Sequence, residues 1–205
     1  MTPVIDTSKQ GRILWTIVAA TLSGGLSAAA LTPVMDKLQG LGLDDLLGLL
    51  VSFASTAGIA FGLVGGALLH VFAKQRAVVS LLFLVTSMAG IAGAVYVAII
   101  FFDHADPSFI LPYGLASPVG TLSVAVPLAF VARYRAPWTC IGLATLLPTG
   151  WAIGVAAFFD HDVALEFAGL SALYIGWQAL LLAVFVLSPK AARAEPTSQG
   201  SALGS

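Results

Sequence analysis

Charge is what this chain of 205 residues has least of: 9% of it is Asp, Glu, Lys or Arg, against about 25% in an ordinary soluble domain. The few charges also avoid the long apolar runs, where Glu166, one turn from an end, is the single exception. Proton-coupled pumps, retinal proteins and voltage sensors need a titrating or charged group inside the membrane, so this absence argues against those classes. The lone cysteine, Cys140, excludes an internal disulfide and a two-cysteine redox relay. A net charge of −1 offers no basic field to nucleic acid. No phosphate-cradling Gly-rich loop, nucleophile elbow or His-Glu-x-x-His occurs. No polar constellation of hydrolase or transferase type can be assembled either. The expectation is therefore a non-enzyme with no catalytic residue and no cofactor.

What the chain does have is apolar length. Its composition is 59% hydrophobic, and the apolar runs reach the length of about 20 residues that crosses the hydrocarbon of a bilayer. The alternating polarity of a β-barrel is absent. The fold class expected is all-α, a polytopic transmembrane bundle of six spans within residues 1–189. The spans are placed at about 13–32, 46–73, 77–102, 107–132, 137–159 and 163–187, with 190–205 a disordered tail lacking any periodic apolar face. Lys9, Arg12 and the cluster at 28–30 also fit a cleavable signal peptide. The first run continues apolar past that cluster to Met35, so a retained helix is the preferred reading.

Orientation follows from the connections. Basic residues precede run one and follow runs two, four and six, whereas the other three connections are acidic and hold one lysine, Lys37. Lys and Arg in short loops stay on the cytoplasmic side. Both termini and the C-terminal tail are thus expected in the cytoplasm, with the Asp/His loops on the exterior face. The richness in Ala, Gly, Leu and Val associates with GC-rich bacterial genomes, so the membrane expected is a bacterial inner membrane.

Arg76, Arg133 and Lys190 recur every 57 residues, as do Asp103 and Asp160, and Gly93 and Gly150. Three helical hairpins of similar size account for this, and the bilayer alone can equalise their lengths, so common ancestry does not follow. The period is direct, unlike that of inverted-repeat transporters. Phe-Phe-Asp-His stands at 101–104 and again at 158–161. Asp103, His104, Asp160 and His161 could together offer a divalent metal imidazole and carboxylate ligands at one membrane face. No His-x-x-x-His or Cys-x-x-Cys spacing supports this, and helix capping accounts for most of the same residues: Asp106 before Pro107, Asp162, and Asp44 or Asp45. His70 and Lys74, four apart, read as snorkelling to the interface.

Inside the runs, the polar residues singled out are Gln178, Tyr96, Ser117, Thr121 and Ser123. Gln178 lies near the middle of run six, where an unpaired amide would be costly; interhelical hydrogen bonding is the first reading and a narrow polar path the second. Gly58, Gly62 and Gly66, with Ala89/Gly93, Gly90/Ala94 and Ala168/Ala172/Gly176, form small-residue faces that let helices approach closely. Pro112, Pro118, Pro127 and Pro148 should bend runs four and five. The stretch from Pro112 to Gly120 is the candidate wall of an outward cavity.

Three functions fit. The first is a non-enzymatic packing, scaffold or complex subunit whose partners are the lipid bilayer, further copies of itself or another membrane protein. The second is a passive pore or small-solute carrier along Gln178, Ser117 and Thr121. The third is a metal-binding protein using the Asp/His rim.

Overall fold

The computed structural model describes residues 8–35, 43–72, 75–102, 110–159 and 167–189. Among them are six α-helices: α1 (Lys9–Met35), α2 (Leu43–Phe72), α3 (Ala77–Phe102), α4 (Ile110–Val131), α5 (Pro137–Phe158) and α6 (Phe167–Leu187). Among the described residues five helices, α1 and α3 to α6, are long and apolar enough to cross a membrane by length and composition. α2 is the longest at 30 residues, and its Thr56–Phe72 part is apolar as well. Every helix exposes large apolar side chains, among them Leu22, Leu63, Val78, Val126, Leu146 and Leu187. In water that surface would be unfavourable, whereas lipid accepts it, so the helices fit a membrane-embedded, multi-pass bundle.

Each helix packs on the next, and α6 closes the ring by packing on α1 and α5 and touching α2. Close approach at small residues sets these contacts. A Cβ built on Gly58 would lie 2.6 Å from the Met88 Cα, and one on Gly62 would lie 2.7 Å from the Leu84 Cα. Ser80 Oγ donates to the Gly66 carbonyl at 2.9 Å. As α2 advances from 58 to 66 its α3 partners recede from 88 to 80, so the pair is antiparallel. The Gly-x-x-x-Gly face of α2 is thus consumed within the chain. Gly90 meets the Gly120 carbonyl of α4, and Gly176 of α6 sits against the Trp151 indole. Where α2, α3 and α6 meet, Phe61 stands edge-on to Phe83 at 5.1 Å and lies 5.9 Å from Trp177. These rings form the centre of the core.

α4 ends in a turn whose bonds satisfy its last carbonyls. Arg133 N–H donates to the Phe130 carbonyl and Tyr134 N–H to that of Ala129, with Arg133 at φ 54 in the left-handed region. This is the Schellman arrangement with arginine at the position glycine usually holds. Pro137 then opens α5 at its first position, where a missing N–H costs nothing.

Several sequence expectations change. Asp44 and Asp45 lie inside the first turn of α2, which begins at Leu43, rather than at its N-cap. Pro112 is the third residue of α4, so Pro118 and Pro127 are the interior prolines of that helix. In the Pro112–Gly120 stretch Pro112, Tyr113, Ala116, Ser117 and Gly120 are buried, and Gly120 packs on Trp177, Ala94 and Gly90. The 57-residue repeat is not kept in packing: Gly93 abuts Val119, while Gly150 has open space around it. The Phe pairs do mark helix ends. Phe101–Phe102 closes α3; Phe158 closes α5, and Phe159 turns extended beyond it.

Candidate functional site

α1 presents Ala20, Ser23, Gly24, Ser27 and Ala28 along one face, all buried. With nothing larger than serine there, α6 comes so near that a Cβ on Gly24 would lie 2.6 Å from the Ile175 nitrogen. Gln178, fully buried on α6, faces this strip. Ser23 Oγ donates to Gln178 Oε1 at 2.5 Å, and Gln178 Nε2 donates to Ser27 Oγ at 3.1 Å. Ser27 Oγ donates backward to the Ser23 carbonyl at 2.8 Å, and the single Ser23 O–H is shared between Gln178 Oε1 and the Ala19 carbonyl, 2.8 Å away. An amide left unpaired in hydrocarbon would cost several kcal/mol, and these serines remove that penalty. Gln178 therefore bonds across helices. Gln178→Leu is expected to cost about 1 kcal/mol of stability, read as an earlier midpoint on titration with a denaturing detergent; no shift would mean the bonds are absent.

On the other side of α6, Trp177 Nε1 donates to Ser117 Oγ at 2.9 Å, and Thr149 Oγ1 donates to the same oxygen at 3.2 Å. Thr121 Oγ1 turns back to the Ser117 carbonyl at 2.9 Å. The structure thus gathers Ser117 and Thr121 with Trp177 and Thr149, and turns Gln178 the other way, toward α1. The three path residues form two separate hydrogen-bonded groups, each buried. Ser23, Ser27, Trp177 and Thr149 were not singled out from sequence; the four-residue spacing of Ser23 and Ser27 beside Gly24 and Ala28 was the available signal.

Asp103, His104, Asp160 and His161 lie outside the described residues, as do Asp106, Asp162 and Lys74. Among the described residues no group of three or more His, Cys, Asp or Glu side chains could hold a metal ion.

The ends that carry the basic residues are tied together. Trp15 of α1 lies 6.4 Å from Phe72 of α2 between ring centroids. His70 Nδ1 is 2.9 Å from the Gln75 carbonyl just beyond α2. Tyr134 Oη donates to the Phe185 carbonyl at 2.9 Å, giving a partner to one of the last carbonyls of α6, and Arg135 N–H donates to the Pro189 carbonyl at 3.0 Å. Burial, with the nearby Cys140 adding, pushes the Tyr134 phenol above its ordinary value, and Gln75 beside it works the other way. For an acid raised in the folded state, the stability it contributes is complete below the unfolded value of about 10 and falls as pH rises beyond it. Thermal scans of the parent should lose stability above about pH 10. Tyr134→Phe should lose about 1 kcal/mol near neutral pH and soften that alkaline fall. Identical alkaline profiles for the two would exclude Tyr134 as the group.

The remaining feature is the outer face of α5. Trp138, Gly142, Leu146, Gly150, Gly154 and Phe158 follow at four-residue steps. Trp138, Leu146 and Phe158 are 73%, 71% and 84% exposed, more than any other large apolar side chain described. Gly142, Gly150 and Gly154 have nothing within 4 Å of an added Cβ, whereas Gly90 and Gly93 of α3, Gly176 of α6 and four of the five glycines on α2 meet a neighbour. Gly25 and Gly48 are open too, singly, on α1 and α2. α5 alone lines up three.

Comparison with models of protein families, with curated proteins and with solved structures finds no match to this chain, so its own geometry must carry the functional reading.

Proposed function

We propose that the chain is a six-span bacterial inner-membrane protein, three hairpins with both termini cytoplasmic, that works without catalysis as a scaffold subunit and associates with a second copy of itself along α5. The observation that carries the reading is the open glycine stripe of that helix. Glycine facing lipid gives a helix nothing: it weakens the helix and packs no side chain. Placed between helices it allows close backbone approach, which is what drives association where lipid removes the hydrophobic effect. Gly58, Gly62 and Gly66 of α2, Gly90 and Gly93 of α3 and Gly176 of α6 are met by neighbours within the chain; the three glycines of α5 are not. Two copies inserted the same way, related by a twofold axis along the membrane normal, would cross at Gly150 and Gly154 with Leu146 and Phe158 flanking the crossing.

Orientation is supported by the cations. Lys9, Arg12, Arg76, Arg133 and Arg135 belong to the helix ends and connections that the Trp15–Phe72 and Tyr134–Phe185 contacts draw to one end, and Lys/Arg-rich ends stay cytoplasmic. The interior supports a structural rather than a conducting role, since Gln178 and Ser117 have their partners in neighbouring helices. Reconstituted in liposomes, the parent and Gln178→Leu should show the same small-solute leak as protein-free vesicles. The mass of the protein in lipid nanodiscs, with and without substitutions at Gly150 and Gly154, tests the scaffold reading.

A further inference from the structure

We draw no further inference here: the strongest candidate, the apolar groove of about 320 Å³ between α1 and α2 lined by Trp15, Ala19, Ala67 and Phe72, carries nothing because nothing in the structure shows what covers it.

Discussion

Gly24→Ala is expected to disrupt the α1–α6 seam, while Gly25→Ala, one residue away, should leave the protein as stable as the parent or slightly more so. At position 24 the added carbon would sit 2.6 Å from the Ile175 nitrogen and 2.7 Å from its Cα. These are backbone atoms that no rotamer change can move, so α6 must shift bodily. Overpacking of this kind costs about 3 kcal/mol or more. The shift also lengthens the Ser23–Gln178 and Ser27–Gln178 bonds, exposing a buried amide to loss of its partners. At position 25 nothing lies within 4 Å, and alanine is the better helix former by up to about 1 kcal/mol. The measurement is unfolding of the purified protein in mixed micelles as a denaturing detergent is titrated. Equal midpoints for the two variants would mean that α1 does not pack on α6 as described.

The second large effect concerns association. Leucine at Gly150 and Gly154 places a side chain in space that is open in the single chain, so the fold of each copy should be untouched. In a dimer crossing at those glycines the same side chains would stand between two backbones, once from each copy. Association should weaken at least tenfold, about 1.4 kcal/mol, and the monomer's unfolding midpoint should not fall. That pairing separates an interface from a folding defect. Most stability variants of this protein should show the reverse: Gly62→Leu, whose neighbour is the Leu84 backbone, should unfold the monomer.

Much of the fold was legible in the residues because the bilayer imposes length and polarity. Runs ending at Phe101–Phe102 and at Phe158–Phe159 end as helices where expected, and the small residues at 58, 62 and 66 do bring two helices together. The polar interior was half legible. An amide at the centre of an apolar run needs partners, so Gln178 stood out. Its partners Ser23 and Ser27 did not, since a serine that can bond its own helix four residues back looks satisfied alone. Which face each small residue serves was also hidden. Gly150 and Gly93 stand at matching places in the 57-residue spacing, yet one is open and the other is packed, because orientation around a helix depends on contacts that spacing does not record.

The most direct test of the account is the mass of the protein in lipid nanodiscs at a protein-to-lipid ratio low enough that crowding forms no pairs. The parent should appear as a dimer, and the Gly150→Leu/Gly154→Leu protein as a monomer with an unchanged unfolding midpoint. A parent that remains monomeric, or a dimer indifferent to both substitutions, would contradict an interface along α5.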